Sequence, residues 1–135
     1  MDALVGLHSL WRWVVLLVVV VAFVRGAIGW LGGGAWTGND RTLVLVTTIV
    51  LDIQLLLGLI VYGTGNHWES GSFIAYVHPL VMIGAIVVAH VTSVMIRRTE
   101  PASGKFRVLT LGLLLAFLMI GGAIPSYSWS RAWVS

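Results

Sequence analysis

The sequence predicts an all-α integral membrane protein, a four-helix up-down bundle with both termini on the outer side. Three observations lead there. The 135 residues are 59% hydrophobic and only 10% charged, and their mean hydropathy of +0.99 lies above the range of soluble globular chains. Four apolar runs each approach the roughly 20 residues that a hydrocarbon core about 30 Å thick requires of a helix. The joining segments are short, which makes consecutive helices antiparallel neighbours. Residues 1–135 therefore read as one four-helix unit with no soluble domain.

The first helix is expected over about 3–24, from the run "LVGLHSLWRWVVLLVVVVAFV". That run is too long for the apolar part of a secretory signal, lacks a basic leader and has no small-residue cleavage site behind it. The second helix is expected over about 43–63, after the loop "RGAIGWLGGGAWTGNDRT", whose glycines follow no strand and so carry no nucleotide fingerprint. The third covers about 73–96, after "TGNHWESGS". The fourth covers about 107–125, after the basic helix end and proline-containing turn "RRTEPASGKFR". There is no cysteine, hence no disulfide, no thiolate metal site and no covalent haem attachment.

The net charge of +3 does not indicate nucleic acid, because the basic residues stand beside apolar runs, where they orient a membrane protein. Arg25 and Arg41 flank the first loop, and Arg97, Arg98, Lys105 and Arg107 surround the third. Both loops are therefore expected in the cytoplasm, in a chain whose setting is a bacterial plasma membrane. His8, His67, Glu69, His78 and the tail "SYSWSRAWVS" then face outward. Trp11, Trp13, Trp68, Trp129 and Trp133 fall at outer helix ends, with Trp30 and Trp36 in the first loop, and together they read as interfacial belts.

Polar groups inside a span are rare and tend to face partners or cavities. Here they are His8, Arg12, Asp52, Gln54, His78 and His90. Helices one and three run the same way, with His8 about four and His78 about five residues in, so their levels agree within roughly 2 Å at 1.5 Å per residue. Diagonal helices with facing imidazoles can hold a flat metal macrocycle between them, and bundle cores are common places for cofactors. Gly58 and Gly121-Gly122 reach the same level on helices two and four, where a ring edge can approach a backbone closely. The plainer reading of two membrane histidines is hydrogen-bonded helix glue, and that of the glycines is helix packing.

Arg12 lies four residues after His8, about 40° round the helix, on the same stripe. It suits a haem propionate, or else it snorkels to outer headgroups. Asp52 and His90 come to similar levels in the inner half, as a structural bond or a proton or hydrogen-bond pair. No second histidine stands at that level, so a single chain holds one haem at most by this pattern. Gln54, on another face, is expected to bond a neighbouring helix. His67 reads as a loop histidine, with Glu69 its one near partner for a metal. No nucleophile–base constellation appears, so a stand-alone enzyme is not the first expectation.

His8 on the first helix, "VHPL" with His78 at the start of the third, and the intervening glycines make the chain resemble small four-helix membrane b-type cytochromes. The resemblance covers most of the chain as architecture and only those positions as motif. It implies His8 and His78 as axial ligands of haem iron and nothing more; non-covalent haem b and a place in a respiratory or photosynthetic electron-transport complex are expectations set beside it. Members of that group usually carry more histidines, often two on one helix; here His78 and His90 are twelve apart and His90 has no inner partner. The first functional expectation is thus electron transfer near the outer face with a quinone or a partner redox subunit. The alternatives are a non-catalytic accessory subunit of a larger complex and a small carrier built on Asp52 and His90. Either a homo-oligomer or a larger membrane assembly is expected.

Overall fold

The computed structural model describes residues 2–65, 71 and 73–124. Four α-helices follow in order: α1 Asp2–Gly32, α2 Gly38–Thr64, α3 His78–Arg98 and α4 Ala102–Ala123, with a π-helical turn Phe73–Val77 leading into α3. There is no strand among the described residues. All four helices are long and apolar enough to cross a membrane. Each packs on its neighbours in sequence, and α4 returns to close against α1. The start of α1, the end of α2, the start of α3 and the end of α4 therefore share one end of the bundle.

The helices outrun the expected spans at several ends. The run 25–32 belongs to α1 rather than to a loop, so Trp30 is helical and the first connection shrinks to a few residues. The glycines that suggested a loop instead let α4 approach: a Cβ on Gly26 would strike Thr110, and one on Gly29 would strike the Phe106 ring. Small residues spaced three apart are a familiar way for membrane helices to pack closely. α2 starts at Gly38 instead of 43, because Asp40 reaches back to the Thr37 backbone N–H at 2.9 Å and its hydroxyl at 3.1 Å. That satisfies a donor which the helix start would leave unpaired. α4 starts at Ala102, ahead of the expected 107.

The core has two parts. One lies toward the histidine end and centres on Val15, Val19, Leu51, Ala85 and Ile120. The other gathers Ala22, Val44, Ile96, Leu109 and Leu113. Beyond it, at the far end, the Asp40 carboxylate takes two bonds from Arg25, at 2.6 and 3.1 Å. The Arg25 guanidinium carbon lies 4.8 Å from the centre of the Phe106 ring, and Trp36 meets the same ring edge-on at 5.1 Å. Arg25, expected as a flanking charge, is thus a clasp between α1, α2 and α4.

Candidate functional site

The histidine end is built from all four helices. His8 and His78, on diagonal helices, meet across the bundle with ring centroids 6.2 Å apart and planes at 88°. The shared level expected from helix rise is thus realised as ring contact.

Each imidazole is held by a neighbouring helix. His78 Nδ1 lies 2.7 Å from the carbonyl oxygen of Ala123 at the end of α4. A carbonyl only accepts, so Nδ1 carries the proton and donates, which leaves Nε2 with its lone pair. Ligating histidines typically have this second bond, because it fixes tautomer and ring orientation. On the other side, the His8 ring rests on α2: a Cβ built on Gly58 would lie 3.1 Å from His8 Cε1. Gly58 is therefore needed by the imidazole itself. Gly121 and Gly122 have no atom within 4 Å of where a Cβ would stand, and Gly122 is exposed, so neither shows the close approach expected at this level.

Local sequence explains how His78 is presented. Pro79 has no N–H to give to the carbonyl four residues earlier, that of Ala75. Tyr62 Oη donates to this carbonyl at 2.8 Å. The π turn just before His78 adds a residue to the helical repeat and is a common device near functional sites.

Beneath the imidazoles, α1 and α2 are stitched by polar groups. Gln54 is 4% exposed and its Nε2 donates to the His8 carbonyl at 3.1 Å, the inter-helix bond expected of it. Its Oε1 is buried with no partner among the described residues. Trp11 Nε1 donates to the Val50 carbonyl at 3.0 Å and its ring packs against the core. This indole is a cross-brace between α1 and α2. Arg12 is 7% exposed, with its guanidinium carbon 4.8 Å from the centre of the Trp13 ring. It lies inside the bundle rather than on its outer surface.

Asp52 and His90 also meet, with His90 Nε2 2.8 Å from Asp52 Oδ1. Because α2 starts at Gly38, Asp52 is near the middle of its helix, deeper than the inner-half position expected. Both side chains are half exposed, at 50% and 49%, so the pair lies on the outside of the bundle, away from the imidazoles. His67 and Glu69 lie outside the described residues, as do Trp68, Trp129, Trp133 and Arg131. Among the described residues no group of three or more His, Cys, Asp or Glu side chains could hold a metal ion. Among the described residues the site offers the two imidazoles and no third side chain of those types to complete a metal-binding group.

Two imidazole nitrogens each about 2 Å from one metal place their ring centroids roughly 6 Å apart. The observed pair meets that spacing, and His78 carries the second bond expected of a ligand. In donor type, spacing and supporting bond, the residues fit. Ala123 had no sequence signal, since a backbone carbonyl has none; the Tyr62 bond could have been sought from the donor that Pro79 lacks. Comparison with protein-family models, curated proteins and solved structures gave no match. Fold and site define the class: a protein helical throughout its described secondary structure, with four membrane-capable helices and a half-buried histidine pair at one end.

Proposed function

We propose that the chain is a haem b-binding membrane protein, with His8 and His78 as axial ligands, that carries electrons near the outer face. The supporting observation is the imidazole pair at 6.2 Å, one member already held by a backbone carbonyl. Haem b, when bound, supplies reversible one-electron chemistry. The chain supplies the rest. His8 and His78 offer neutral imidazole nitrogens, Ala123 keeps the proton of His78 on Nδ1, and Gly58 gives the His8 ring its seat. Arg12, four residues after His8 on the same stripe of α1, supplies the positive charge for a propionate.

The proposed topology has the first and third connections in the cytoplasm and the histidine end outside a bacterial plasma membrane, a reading supported by the basic residues around those connections. The electron partner is a quinone or another redox subunit. The protein purified in detergent from haem-replete cells shows a Soret band and, on reduction, sharpened visible bands. His8→Ala and His78→Ala each abolish that spectrum while keeping the helical circular dichroism. A colourless wild type would overturn the proposal and leave the accessory-subunit reading.

A further inference from the structure

The Asp52–His90 pair lies where a membrane protein has reason not to leave one. Asp52 is about 21 Å of helix from Gly38 and about 18 Å from Thr64, at 1.5 Å per residue. Both side chains are nevertheless half exposed on the α2–α3 side. Lipid tails offer no hydrogen-bond partner, and ionisable groups in contact with them are unfavourable. Only one carboxylate oxygen and one ring nitrogen are engaged within the pair, so acceptor sites and a second ring nitrogen remain to be served. The fold buries its other polar groups at these depths, including Arg12, Gln54 and Thr92.

Around the pair the surface is apolar and regular. Ile49 and Leu56 stand three before and four after Asp52, at 47% and 59% exposure; Ile83 and Val87 stand seven and three before His90, at 40% and 54%. Such spacing suits helix packing, although any lipid-facing helix presents exposed apolar residues. The polar pair at its centre distinguishes this face.

We propose that two copies of the chain pair in the bilayer through this α2–α3 face, with the Asp52–His90 pairs of the two copies meeting at the contact. The pair is self-complementary: a two-fold axis beside it sets each imidazole opposite the carboxylate of the other copy. A different protein would have to present a matching acid and base at the same depth, whereas a second copy carries them by necessity. A polar residue at one seam position also fixes the register of packed helices. The inference is independent of the haem proposal, since the pair lies away from His8 and His78.

The chain has no cysteine, so single replacements report cleanly. Leu31→Cys, at the far end of α1 and 82% exposed, carries donor or acceptor dyes on the full chain in phosphatidylcholine vesicles at low protein-to-lipid ratio. Energy transfer that unlabelled protein dilutes away is expected. Asp52→Leu with His90→Leu weakens pairing about tenfold, while the exchange Asp52→His with His90→Asp retains it. Oxidative cross-linking maps the face: Val87→Cys or Leu56→Cys forms disulfide dimers, and Leu118→Cys on α4 does not. Absence of transfer in the parent, equal transfer in the double-leucine variant, or cross-linking no better at Val87 and Leu56 than at Leu118 would each overturn the proposal. The visible spectrum of the same samples reports separately on haem.

Discussion

Helix α2 carries two aspartates twelve residues apart, and the fold treats them in opposite ways. Asp40 is buried at the helix start, with both oxygens engaged: Arg25 grips them as a fork, and the Thr37 backbone and hydroxyl add two more bonds. Asp52 sits mid-helix, half exposed, with one bond to an equally exposed histidine. The same side chain thus closes a corner of the bundle in one place and faces outward in the other. Position on the helix explains part of this. The first turn has spare N–H groups and a positive dipole end that favour a carboxylate, whereas mid-helix backbone groups are already paired and the side chain must find its partner elsewhere. A fully served acid is a structural element; an incompletely served one is the basis of the pairing proposed for the α2–α3 face.

The comparison can be broken most forcefully at Asp40. Asp40→Ala leaves Arg25 without its counter-charge and removes the cap of α2. The loss is about 2–4 kcal/mol, toward the lower figure because Arg25 is a third exposed. Unfolding in a graded detergent–denaturant titration measures it, and a midpoint unmoved from the parent would contradict the clasp. Arg25→Lys keeps the charge and loses the two-pronged geometry, so about 1 kcal/mol should go in the same titration. A loss as large as that of Asp40→Ala would show that the fork, rather than the charge, carries the corner. Asp52→Asn is the mildest, below about 1 kcal/mol in monomeric, detergent-solubilised protein, because an exposed pair contributes little. A larger loss there would make Asp52 a structural element like Asp40.

Much of the candidate site was legible in advance because helix rise is so regular. Counting residues from helix starts put His8 and His78 at one level, and short connections put their helices diagonally across the bundle; both follow from geometry that tertiary packing hardly alters. Gln54 was legible as an inter-helix bond for the same reason, since a buried amide must find a partner. Partner identity was less accessible. Trp11 and Trp13 are near neighbours in sequence, yet one braces α2 through Val50 and the other lies beneath Arg12, and only the packed helices separate these roles. Glycine was the most ambiguous residue. Gly26 and Gly29 looked like loop residues and prove to be where Thr110 and Phe106 enter, because a missing side chain permits a close approach as readily as a turn.

The sequence by itself determined the number of helices, their alternation, the shared depth of two histidines and the presence of an acid and a base at similar levels within the spans. Hydrophobic run length and a fixed rise per residue suffice for those. Tertiary structure alone decided that Ala123 holds His78, that Gly58 seats His8, that Arg25 clasps Asp40, and that Asp52 and His90 turn outward. Those outcomes depend on helix rotation and on contacts between residues far apart in the chain, which no local pattern encodes.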